Sequence, residues 1–418
     1  MAQLSTSTQS GGTRTEHLAT WAANLKFTDL PEDVVQKTKD FFVDWLGCAI
    51  AGRHHPAVSA IAKFASHMGP SSGKSELVDG SLKFTTSPAF ASLVNGASSH
   101  VVEQDDLHNR SIMHPRFHST ATGGVIGVAA ATAHLLKLDA AQTLSAIGTA
   151  GTQAAGLWQF LMDATHSKQV HTGKACFDGI FAAYTARDGL LGTKDILEGP
   201  RAMGVALVPG TTNPEAIDQK LGTDYEVLRS SFKWHASCRH THPSADALLK
   251  LIKKNDVAFE NIESVISRTY QAAINVLGMT GRGETVHQSK FSMGFVLAVI
   301  AKKGQAMITD FTEDDLEDSE LREFQQRVKM ELDPEIDRVF PEKWQGTVIV
   351  TTKAGKTFTE SVEFAKGDPE LPLTRDEIER KAHTLAAYGG FTDTGKVNQL
   401  IDRAWNLENQ KNLNGFVF

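Results

Sequence analysis

Four short stretches of this 418-residue chain concentrate side chains able to bind anions and move protons. EQDDLHNRSIMHP with the following RFHST carries Glu103, Asp105, Asp106, His108, His114 and His118. HSKQVHTGK places Lys168, His171 and Lys174 at helical spacings of three and six, near one face of a helix. KWHASCRHTHP crowds Lys233, His235, Arg239, His240 and His242 into ten positions. HQSKFSMG sets His287 and Lys290 ahead of an apolar run. Crowded cations repel one another unless an anion is expected among them, and that repulsion lowers lysine and histidine pKa values until they serve as bases. Lysine and arginine hold carboxylates, while histidine exchanges protons near neutrality. One acidic and three basic clusters therefore imply a pocket for a small polyanion undergoing proton transfer. Lys168, Lys233 and Arg239 are the carboxylate holders. A histidine among His114, His118 and His242 is the proton carrier, and Glu103 and Asp106 balance the cations. His108, His171, His240 and Lys290 complete the expected substrate lining.

Other chemistries lack their signatures. His114 and His118 imitate a metal pair, but no HExxH pattern or third ligand stands at a familiar distance, so no metal is expected. There is no Gly-rich phosphate loop, no GxSxG and no nucleotide fingerprint. The three cysteines, Cys48, Cys176 and Cys238, are far apart, which suits free thiols and not an iron–sulfur cluster. A net charge of −7 argues against nucleic acid as partner, and no apolar run reaches membrane-spanning length. The polar start MAQLSTSTQSGGTRT lacks the apolar core of a secretory signal, so a cytoplasmic location is expected, with a mitochondrial one left open.

The elements that must position these clusters are mostly helices. LPEDVVQKTKDFFVDWLGCAIAG has Pro31 and acids at its start and Gly52 at its end, and HPAVSAIAKFASHMG repeats that design with Pro56 and Gly69. Segments 83–100, 120–136, 141–158 and 175–190 are rich in alanine and glycine, which lets helices approach closely. Beyond residue 240 the period changes. IESVISRTY alternates as a strand, and GTVIVTTKAGKTFTESVEF is a hairpin turning at Ala354-Gly355. Between them SKFSMGFVLAVIAKKG is a buried helix, and DEIERKAHTLAAYGG and TGKVNQLIDRAWNLEN return to helix. The fold class is thus mainly α, a large all-helical domain with an inserted smaller α+β lid domain. Its expected boundaries are a disordered arm over 1–14, helical domain over 15–239, lid over 240–372 and helical again over 373–418.

These residues, in this order, resemble the MmgE/PrpD family. The match is carried by SLVNGASSH, the DD followed by HP, GTAGTQAAGL, SKQVHTGKA, DILEG, CRHTHP and SKFSMGFVLA, over nearly the whole chain. The family includes 2-methylcitrate dehydratase and cis-aconitate decarboxylase. The resemblance implies a helical domain with a smaller lid, a homodimer, an active site between the two parts, and no metal or organic cofactor. By position it gives Glu103 the place of a family acid, His114 the histidine of HP, and His118 the histidine opening the next helix. Lys168 takes the catalytic lysine's place and Lys233 that of the lysine beginning the lid-side motif. Mammalian-type decarboxylases have a histidine five residues after that lysine, where this chain has Cys238, as fungal-type relatives do. EQDDLH is closer to the fungal decarboxylases than to the bacterial dehydratases.

One departure is large. The family has an apolar segment and another helix between HP and the histidine matched by His118, whereas Pro115 here runs straight into Arg116-Phe117-His118. About two helices of core are missing, on the order of 60 Å at 1.5 Å per residue. Either neighbouring helices close the gap, or the chain folds poorly and exposes apolar surface. The expected function is a cofactor-independent lyase on a small tricarboxylic acid, decarboxylase-like, with dehydration as the alternative. An epimerase or isomerase of an acidic substrate, or an inactive family member, stays open.

Overall fold

Helix starts follow local capping chemistry. In the first helix, α1 (Arg14–Asn24), the Thr13 hydroxyl accepts from the Glu16 N–H and the Glu16 carboxylate accepts from the Thr13 N–H. Arg14 also pairs with Asp218. Thr13 and Arg14, expected within a disordered arm, are thus held by capping and by this ion pair. The computed structural model describes residues 12–78, 84–105, 107–108, 116–160, 165–210, 212–278 and 282–416, with 107–108 as backbone alone. Helices dominate it.

Helices α2 (Glu32–Gly52), α3 (Pro56–Met68), α4 (Pro88–His100), α5 (Ser119–Leu135), α6 (Ala140–Gly151) and α7 (Ser167–Arg187) build the helical body. Glycine permits a close crossing. A Cβ on Gly173 of α7 would lie 2.3 Å from the Leu93 carbonyl oxygen of α4, and one on Gly96 would lie 3.2 Å from the Gly173 Cα. That contact seats the first turns of α7 against the last turn of α4. Alanines 129, 133, 146, 150, 175, 182, 183 and 186 form the small-residue core of α5, α6 and α7.

After the two-residue strands β1 (Leu107–His108) and β2 (Ser230–Ser231), the later part carries a four-stranded sheet of β4 (Val328–Leu332), β3 (Ile262–Thr269), β5 (Gly346–Thr352) and β6 (Thr357–Val362), in that order across it. Strands β3 and β5 are antiparallel, and β6 closes the expected hairpin, with Gly355 at φ +76° in its turn. Strand β4 lies parallel to β3. Helices α8 (His242–Asn255) and α9 (Met293–Lys303) pack on this sheet region and on each other. One core runs through both parts, from Val94, Val101 and Val102 to Leu248, Phe295 and Val348. Helices α10 (Arg375–Tyr388) and α11 (Thr394–Trp405) return to pack on α2, where Val43, Leu46 and Ile50 meet Ile378, Ala382 and Ile401. Among the described residues no helix is long and apolar enough to cross a membrane.

Around the Pro115–Arg116 junction the described chain is closed by a short antiparallel contact. Phe117 bridges Leu157, the His118 N–H donates to the Gly156 carbonyl (2.8 Å), and the Trp158 N–H to that of Arg116 (3.1 Å). Helix α5 then packs on α1, α6 and α7, yet a Cβ on Gly123 or Gly127 would meet nothing within 4 Å. The face of α5 that carries Gly123 and Gly127 is thus open.

Candidate active site

The loop after α4 is the meeting point. Glu103 is 1% exposed and adopts φ +59°, a left-handed conformation that costs a non-glycine residue roughly 1–2 kcal/mol. Its neighbours show what holds it there. The carbonyls of Val102, Glu103 and Gln104 accept, in turn, from the ammonium groups of Lys290 (3.1 Å), Lys233 (3.2 Å) and Lys381 (2.7 Å). Lys381 is fully buried and pairs with the equally buried Asp44 of α2 at 2.6 Å. Three lysines from distant parts of the sequence thus fix three successive peptide units.

The Glu103 carboxylate receives Lys168 on Oε1 and Lys233 on Oε2 (3.3 Å). Burial opposes its ionisation, but the charges of Lys168 and Lys233 outweigh that and hold the carboxyl well below the usual carboxylate range. For Lys233, burial works against the ammonium, and the charges of Glu103 and Asp105 outweigh it, raising the pKa. Lys290 is different. Among the described residues no carboxylate pairs with it directly, and burial, with Lys233 and Lys168 repelling, brings it down to about 8 against the pull of Glu103. Three ammonium groups surround one carboxylate in a dry space, an arrangement suited to a substrate with several carboxylates.

Histidines line one side. His118, just ahead of α5, places Nδ1 3.1 Å from Nδ1 of His171 on α7, and its ring packs near Trp158, Phe160 and His100. Burial, then the charges of His100, Lys168 and His171, lower His118 to about 2, so it is neutral across physiological pH. Burial likewise lowers His171, and brings His287 down to about 4. His100, the last residue of α4, sets Nδ1 2.5 Å from the Asp105 carboxylate. The Cys238 N–H donates to the Lys290 carbonyl, and burial pushes the Cys238 thiol up to about 11.

Of the residues expected from sequence, the structure gathers Glu103, Lys168, Lys233, Lys290, His118 and His171. Arg239, His240 and His242 are held elsewhere, in the core on the sheet side. Arg239 pairs with Asp368, and the His240 Nδ1 lies 2.8 Å from the Tyr270 hydroxyl with its ring stacked on Trp344. The His242 Nε2–H donates to the Ser237 carbonyl at 3.4 Å. Asp246 likewise partners His235 (2.9 Å). The crowding in KWHASCRHTHP is relieved by distant carboxylates and by neutral imidazoles, so no bound anion is needed to explain Arg239, His240 or His242. His114 and Asp106 lie outside the described residues, and His108 is described only as backbone, paired with Ser230 in a two-residue ladder. Sequence reasoning missed His100, which ended SLVNGASSH unremarked, and the Lys381–Asp44 pair.

Comparison with known proteins decides the family. The MmgE/PrpD N-terminal domain matches residues 16–116 and 111–215, and the MmgE/PrpD C-terminal domain matches 235–407. The chain belongs to the MmgE/PrpD family. Among its relatives, "Cis-aconitate decarboxylase-like protein oryM" of Aspergillus oryzae is 24% identical over 469 positions, covering 95% of each chain. "Cis-aconitate decarboxylase" of Aspergillus terreus is 24% identical over 467 positions, covering 94% of this chain and 93% of its own. The Homo sapiens protein of the same name is 25% identical over 452 positions, covering 94% and 92%. This MmgE/PrpD member also shows where it departs. At least 51 of the 469 positions shared with the Aspergillus oryzae relative hold no residue of this 418-residue chain. The N-terminal domain match breaks in two at residues 111–116, where the missing segment was expected.

Proposed function

We propose that this chain is a cofactor-independent lyase that decarboxylates cis-aconitate or a close unsaturated tricarboxylate. The relatives named are lyases, and the chain is an enzyme of that class. The observation that carries the finer reading is the buried Glu103 ringed by Lys168, Lys233 and Lys290. A tricarboxylate supplies the negative charge this space lacks. In a water-poor chamber, fixed ammonium groups stabilise the negative charge that spreads over the substrate as the carbon–carbon bond to the departing carboxylate breaks. Lys168 and Lys233, already oriented by Glu103, require little rearrangement at that moment. A chamber histidine then protonates carbon. The homodimer remains part of this proposal.

Proton NMR of the purified protein with cis-aconitate, and separately with 2-methylcitrate, tests the reading. Vinylidene signals from cis-aconitate support it. An alkene formed from 2-methylcitrate, with cis-aconitate untouched, would assign the chamber to dehydration.

A further inference from the structure

The chamber has many histidines, but their free valences differ. Both Nδ1 atoms of the His118–His171 pair are turned on each other. His240 and His242 are bonded into the sheet-side core, where the Nδ1 atoms of His242 and His235 also have no hydrogen-bond partner. His100 differs in its place, beside the loop that presents Glu103. It is 7% exposed, its Nδ1 is taken by Asp105 at 2.5 Å, and among the described residues its buried Nε2 has no hydrogen-bond partner. A buried polar atom without a partner is costly, and at the edge of an anion chamber it marks a place a substrate atom occupies. We propose that His100, oriented by Asp105, is the group that protonates the substrate carbon, an assignment resting on the decarboxylase reading.

The position follows from the fold. His100 ends α4 one turn beyond Gly96, and Gly96 meets Gly173 of α7 in a close helix crossing. That crossing brings His100 beside the loop that presents Glu103 and beside the α7 turns that carry Lys168 and His171. Asp105 is held as a carboxylate: burial opposes this, but the charge and hydrogen bond of His100 outweigh it. A carboxylate on Nδ1 fixes the tautomer and leaves Nε2 as the exchanging atom. The His118 ring packs beside that of His100, with ring centres 5.8 Å apart. His118 contacts His171, which borders an outer cavity of about 260 Å³ with Lys174 and Asp178. This line of imidazoles runs from His100 toward that outer cavity.

The step balances as follows. The bond between the substrate CH2 and its carboxylate breaks and CO2 leaves. The electron pair shifts across the carbon–carbon double bond, and the far carbon takes the proton from Nε2. The imidazole is left neutral with Nδ1–H on Asp105, and one solvent proton restores it. Asp105 is a positioning residue. The charged and titratable groups facing the ring are Asp105, Glu103, His118 and His171.

The test compares wild type with His100→Gln, His100→Ala and Asp105→Asn, using cis-aconitate for turnover and tricarballylate for binding. His100→Gln is expected to lower kcat on the order of 100-fold or more, with KM and tricarballylate affinity within about threefold. Added imidazole is expected to restore turnover to His100→Ala and not to Lys168→Ala. Asp105→Asn is expected to lower kcat while KM stays within about threefold of wild type. A His100→Gln kcat within threefold of wild type, or no imidazole rescue of a folded His100→Ala that binds tricarballylate, overturns the assignment alone. A wild type inert toward cis-aconitate overturns the decarboxylase reading, and this assignment with it.

Discussion

Glu103 ties the chamber together, because two of its three lysines pair with that one carboxylate. Removing one partner of a buried pair strands the others, so Glu103→Ala is expected to destabilise the fold by about 3–5 kcal/mol in urea denaturation. Lys168→Ala should instead leave the fold cooperative and abolish turnover. Retained activity in that variant would remove Lys168 from the mechanism. Lys290 gives the pH signature. Its pKa is lowered from 10.5 to about 8, so the ammonium that faces substrate is present below pH 8 and lost above it. The profile of kcat/KM is expected to fall on the alkaline side near pH 8, and Lys290→Arg to move that limb upward. For stability the sign is opposite: burying this charge costs most below pH 8, and the cost fades as pH rises toward 10.5.

At the scale of elements, the contact between α2 and α10 does more than cover a core. Lys381 on α10 reaches both Asp44 on α2 and the Gln104 carbonyl beside Glu103. Lys381→Met is expected to cost about 3–5 kcal/mol, since Asp44 would stay buried without a cation. The double variant with Asp44→Asn should recover much of that loss in the same denaturation series. Elements of this kind show how far the sequence could be read. Helices with a proline at the start and glycine at the end, such as α3, are locally encoded and emerge as expected, as does the β5–β6 hairpin. The parallel pairing of β4 with β3 rests on contacts between residues about sixty apart, which no local pattern records. The same limit explains Arg239 and His235. Their crowding was visible, but Asp368 and Asp246, which relieve it, belong to other elements. His100 was hidden for a related reason. A single histidine at a helix end means little until Asp105 is seen turned back upon it.

For the molecule as a whole, the junction after Pro115 is the defining feature. The N-terminal domain match divides at residues 111–116, and Leu135, Leu157, Val170 and Phe181 stand exposed on α5, on α7 and at the Phe117–Leu157 bridge. Apolar area of this kind favours association. Sedimentation velocity is expected to show a dimer at micromolar concentration, and a monomer throughout would contradict the homodimer. Whether this chamber turns over is decided most directly by carbon-13 NMR. With carboxyl-labelled cis-aconitate, wild type is expected to release labelled bicarbonate at a rate proportional to enzyme, and Lys168→Ala to release none. A folded wild type that binds tricarballylate yet releases no label would contradict decarboxylation as the function of this chamber.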